Sequence, residues 1–132
     1  MDDLTDDEIA FLQGAFDLAR RGSTHLLGEL VDAGLPVNLT NAAGDSLLML
    51  AAYYRHAVTV QMLLDRGADT GRVNDRGQTA LGAATFRRSA DSVTALLAAG
   101  ADPHYGPRSA HEVATYFGLD DMLALMAGHR RP

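Results

Sequence analysis

Cysteine is missing from the 132 residues of this chain, which excludes disulfides, thiol catalysis and cysteine-based zinc sites. Tryptophan is missing too, and four tyrosines and four phenylalanines are all the aromatic residues there are. Lysine does not occur, so all 11 cations are arginine. We read that as a coding bias towards arginine and alanine, which suits a bacterial source of high genomic GC. The net charge of −6 argues against a nucleic-acid backbone as partner, because such partners require a basic face. No apolar run approaches the roughly 18 residues of a membrane span, and the start Met1-Asp2-Asp3-Leu4-Thr5 has no basic n-region followed by a signal-length apolar stretch. A soluble, cytoplasmic chain of one domain is expected.

What is present is a period of 33 residues. Residues 41–69 lie over residues 74–102 without a gap, and 12 of these 29 positions are identical. The identities include Asn41/Asn74, Gly44/Gly77, Leu63/Leu96 and Gly67/Gly100. Self-similarity at a fixed period is the mark of a stacked repeat. Within the period, Val60, Leu63 and Leu64 occupy one face of a helix, and Val93, Leu96 and Leu97 repeat them. Gly67 and Gly100 follow where a left-handed residue ends a helix. Ser46 and Thr79 stand where a hydroxyl caps a short helix. Each unit is then two short helices and an extended loop, and neither helix buries its apolar face without a neighbouring unit.

The runs Leu63-Leu64-Asp65-Arg66-Gly67-Ala68-Asp69 and Leu96-Leu97-Ala98-Ala99-Gly100-Ala101-Asp102 resemble the ankyrin repeat, as does Asn74-Asp75-Arg76-Gly77-Gln78-Thr79-Ala80-Leu81. The resemblance extends backwards through Leu27, Leu30, Val31 and Gly34, and forwards through Ser109, Ala114, Gly118, Leu123 and Met126 once three loop residues are deleted. It implies an all-α ankyrin repeat solenoid with short β-hairpin-like loops. The expected division is an N-terminal capping unit over about 5–38, repeats over about 41–73 and 74–105, and a C-terminal capping unit over about 106–128. Two departures stand out. The family's Thr-Pro-Leu-His keeps neither Pro nor His in any copy, which removes the histidine ties that usually join units. The usual glycine between the two helices is Arg55 and Arg88 in the central units. If that position is left-handed, each arginine costs about 1 kcal/mol.

The N-terminus carries a capping box, Thr5 with Glu8, and Leu4 and Ile9 at the spacing of a hydrophobic staple. Asp6 and Asp7 suit the first turn of a helix, as Asp120 and Asp121 suit the last helix. His129-Arg130-Arg131-Pro132 reads as a frayed end.

The resemblance implies protein–protein recognition through the concave face and hairpin tips. The positions just before the interhelical turn are Arg20-Arg21, Tyr53-Tyr54, Phe86-Arg87 and Tyr116-Phe117, and they hold five of the eight aromatics. These residue types are enriched in interfaces. The first members, Tyr53, Phe86 and Tyr116, suit packing between units as well as display; Tyr54, Arg87 and Phe117 are expected to face outward. The tips add Asp75, Arg76 and Gln78, after an almost featureless Ala42, Ala43 and Asp45. The shortened loop from Pro103 to Arg108 reads as an array terminator with Tyr105 as a possible contact.

No catalytic, cofactor or metal constellation is read. His25, His56, His104, His111 and His129 are read as standing neither at i, i+4 to one another nor with a carboxylate at helical ligand spacing. His56 is given a capping role, and His104 and His111 are expected to approach across the shortened loop. No phosphate-binding or nucleophile motif occurs. The expectation is a monomeric binding protein rather than an enzyme, its alternative an inhibitor or immunity-type protein that blocks one enzyme or toxin.

Overall fold

The computed structural model describes residues 4–129. Four of the helices begin where a hydroxyl caps the first turn. Thr5 opens α1 (Asp6–Arg21), where its Oγ1 accepts from the Glu8 amide at 3.1 Å and a Glu8 carboxylate oxygen accepts from the Thr5 amide at 3.0 Å. The capping box is therefore complete, while Leu4 and Ile9 both remain exposed. Ser46, Thr79 and Ser109 cap α3 (Leu47–Tyr53), α5 (Ala80–Phe86) and α7 (Ala110–Tyr116) in the same way. Between them run α2 (Thr24–Asp32), α4 (Ala57–Asp65), α6 (Ala90–Ala98) and α8 (Asp120–Gly128).

The helices form two layers. The odd-numbered helices pack side by side in one row and the even-numbered in another. Leu27, Leu63 and Leu96, one per outer helix, are each 0% exposed, and Val60 and Val93 are equally buried beside them. Burying such a side chain stabilises by about 1.5–3 kcal/mol, so stacking supplies what no single unit has. In α8 the deepest residues are Met122 and Met126, with Leu123 half-buried.

The turn inside each helix pair has one backbone shape. Gly22, Arg55, Arg88 and Gly118 all have positive φ, at 69°, 66°, 53° and 64°. Two arginines thus hold a left-handed conformation that glycine adopts without strain. Across the first junction, His56 departs from the capping role expected of it. It occupies the N-cap of α4 but makes no side-chain cap bond. Its Nε2 instead lies 2.7 Å from the Arg20 carbonyl oxygen, and its ring covers Gly22 so closely that a Cβ there would fall 2.5 Å from Nδ1. A histidine tie between units therefore exists, made by the histidine of the interhelical turn rather than by one in the Thr-Pro-Leu-His segment.

The loops between pairs pack edge to edge. The Asn41 side chain accepts from the Ala43 and Asp45 amides, and Asn74 repeats this with Arg76 and Gln78. Successive tips then join through backbone bonds, Asp75 N to Ala43 O at 3.0 Å and Arg108 N to Gly77 O at 3.1 Å. Among the described residues these tips contain isolated bridges, Thr40 with Ser46 and Gln78 with Arg108.

Candidate partner-binding cleft

Helices α3, α5 and α7 present their exposed side to one open cleft of about 600 Å3. Its two walls come from opposite ends of the same short helices. Asp45, Arg76, Gln78 and Arg108 rise at the N-terminal ends, and Tyr53, Tyr54, Phe86 and Phe117 at the C-terminal ends. Leu50, Ala83 and Val113, equivalent positions in successive units, line the cleft between the walls. The seven residues from the Thr79 cap to Phe86 rise about 10 Å, which sets the width between walls.

The aromatic wall is surface, not core. Tyr53 is 39% exposed, Phe86 45% and Tyr116 83%, so the first members of the pairs are displayed as fully as Tyr54 at 43% and Phe117 at 53%. The reason is that Leu47 to Ala52 already fill the space between α3 and its neighbours, leaving the helix end outside the packing. The rings contact one another edge to face: Tyr53 with Tyr54 at 5.1 Å, Phe86 with Phe117 at 5.3 Å and Tyr116 with Phe117 at 4.9 Å. The Arg87 guanidinium stacks on the Tyr53 ring at 4.9 Å, which makes Arg87 the most covered member of its set. These contacts hold the rings in place against one another.

The remaining candidates divide. Arg20 lines the cleft but is held by Asp17 at 2.7 Å, whereas Arg21 is exposed and does not line it. Arg76 and Gln78 line it, and Asp75 does not. Arg108 and Asp45 complete the tip wall, although the repeat comparison had not singled out Arg108. It was passed over because the loop from Pro103 to Arg108 read as an array terminator, although the three-residue deletion sets Arg108 opposite the candidate Gln78. Asn74 Nδ2 donates to Asp45 Oδ1 at 2.8 Å and to Gln78 Oε1 at 2.9 Å. Tyr105 is exposed on the loop beyond the cleft.

Two further arginines are engaged between units. Arg66 holds Asp32 through two nitrogens, at 2.8 and 3.0 Å, and Arg88 holds Asp121 at 2.8 Å. Each pair lowers the aspartate pKa, chiefly through the hydrogen bond from its arginine. His25 has the helical partner denied it above: its Nε2 lies 2.9 Å from Glu29 one turn on, with 85% of the histidine side chain exposed. His104 and His111 do approach, with ring centroids 4.6 Å apart. Among the described residues no group of three or more such side chains converges as a metal site, and no helix is long and apolar enough to cross a membrane.

A family profile described as Ankyrin repeats (3 copies) matches residues 16–105, well over half of the chain. A protein of Pseudomonas aeruginosa whose name marks it as an ankyrin repeat protein is 54% identical over 52 residues. That match covers 39% of this chain and 30% of the relative, so the chain aligns with less than a third of the relative's length. Ankyrin repeats are generally non-catalytic protein–protein interaction modules.

Proposed function

Because the chain belongs to the ankyrin repeat family, we propose that it binds a partner protein in the cleft between its tips and its aromatic helix ends, without catalysis. The observation that carries this reading is the row of displayed rings. Tyr53, Tyr54, Phe86 and Phe117 line the cleft and Tyr116 stands beside it, all between 39% and 83% exposed, in two edge-to-face clusters with Arg87 stacked on Tyr53. A cluster of preset aromatics beside arginines is the composition of an interface hot spot, and its exposure has no return in folding stability. The tips beside it are fixed by Asn41 and Asn74, so both walls meet a partner already formed. We read the protein as a bacterial, cytoplasmic monomer of four units, two of them caps.

The test is affinity capture with mass spectrometry from the cells that make the protein, using the wild type beside Tyr54→Ala/Arg87→Ala. A partner held by the wild type and lost by a variant of unchanged melting point places binding in the cleft. A partner held equally by both moves the site elsewhere. If the captured protein is an enzyme or toxin, titrating its activity separates an adaptor from an inhibitor.

A further inference from the structure

The cleft is chemically two-sided, and its charge opposes that of the molecule. The chain carries −6, yet the tip wall at the third and fourth units is built from Arg76 and Arg108. Among the described residues neither makes a salt bridge, whereas Arg20, Arg66, Arg72 and Arg88 each hold an aspartate. The one carboxylate lining the cleft, Asp45, stands at the second unit, where Asn74 donates to it. Asp75, next to Arg76, lies outside the cleft. Opposite these cations, across the rise of about 10 Å of a seven-residue helix, stand Phe86 and Phe117.

That width admits one extended chain, whose successive side chains point to opposite sides. Resting on the reading of the cleft as a protein-binding site, we propose that its occupant is an extended partner segment in which carboxylate side chains alternate with apolar ones. The carboxylates meet Arg76 and Arg108, and the apolar side chains lie against Phe86 and Phe117. Guanidinium groups suit this task because their planar fork takes a carboxylate through two parallel bonds. The net negative charge elsewhere does not oppose such a segment strongly, because charges more than about 8–10 Å away are screened at physiological salt.

The intact chain is immobilised and used to select a random linear peptide library displayed on phage. Arg76→Glu/Arg108→Glu and Phe86→Ala/Phe117→Ala are carried in parallel. All four side chains are exposed, so thermal melting should match the wild type in both variants. The wild type should enrich peptides with Asp or Glu at alternate positions and apolar residues between them. A synthetic copy of the leading sequence should bind the charge-reversed variant at least about tenfold more weakly, and bind the wild type more weakly as salt rises. Enriched peptides that are basic or uncharged, still lost from the aromatic variant, overturn the acidic chemistry and leave the protein-binding cleft standing. Peptides held equally by both variants overturn the cleft itself. Failure to enrich any sequence overturns the extended-segment proposal, while capture of a whole partner remains a separate measurement.

Discussion

The first interhelical turn and the two central ones share a backbone conformation and differ in what lies across it. At Gly22 the His56 ring of the next unit covers the turn, and a side chain there has no room. One repeat later the residue equivalent to His56 is Ser89, whose hydroxyl turns to Ser92 instead, and the turn holds Arg55. One further on, Arg88 reaches Asp121 of the last helix. Only the backbone angle is common to all of them. Whether glycine is obligatory is decided by the neighbouring unit, so a repeat position has to be read with the residue 34 places onward.

The largest expected effects fall where the units are alike. Leu63→Ala and Leu96→Ala each open a cavity at a site with 0% exposure and should each cost about 2–5 kcal/mol in denaturant unfolding. Equal losses would show two equivalent junctions, whereas a near-neutral result at either contradicts the stacking described above. The turns should then separate. Gly22→Ala combines a left-handed Cβ with a collision against the His56 ring and should cost about 2–4 kcal/mol. Gly118→Ala meets no atom within 4 Å and should cost only about 1 kcal/mol. Adding His56→Ala to Gly22→Ala should recover part of the first loss, and additive losses in that double-mutant cycle would deny that the ring confines the glycine.

The same contrast explains what could be read from the chain. A stack places equivalent residues in equivalent surroundings, so Val60, Leu63 and Gly67 repeat as Val93, Leu96 and Gly100, and the ankyrin repeat was legible from them. The cleft was half legible. Tyr53, Phe86 and Tyr116 stood out, but an aromatic ring at a helix end suits burial and display equally until the space filled by Leu47 to Ala52 is known. Arg108 escaped because its loop read as an array terminator, although the three-residue deletion aligns it with the candidate Gln78. The tie from His56 to the Arg20 carbonyl carries no side-chain signature on the accepting residue. The His25–Glu29 pair, by contrast, was open to view at i and i+4.

A smaller effect of opposite sign tests the strained arginines. Arg55→Gly should raise stability by about 0.5–1 kcal/mol, because it relieves the left-handed conformation against only the extra freedom of glycine in the unfolded chain. Arg88→Gly relieves the same strain and forfeits the bond to Asp121, so its gain should be smaller. If both rise equally in paired denaturant curves, the Asp121 pair contributes nothing.

The smallest effects should appear only in acid. Asp121 and Asp32 are held below the ordinary aspartate range, chiefly by hydrogen bonds from Arg88 and Arg66, and Glu8 is lowered by its bonds with Thr5. In each case the unfolded chain binds a proton more readily than the folded one. Their contribution is therefore complete above the unfolded value, near about pH 4, and drains away as pH falls through the lower folded value. All three groups lie in water, where such pairs are weak and salt-screened, so the acid limb of a melting-point profile should be shallow. Arg66→Met removes the partner of Asp32 from the first junction, and Arg88→Met removes that of Asp121 from the last. Each should flatten part of that limb, and the two changes should add, since the pairs share no residue. An acid limb unchanged by either variant would mean that these bonds bridge the units without stabilising them, leaving the His56 tie, the hydrogen bonds between tips and the buried leucines to hold the junctions.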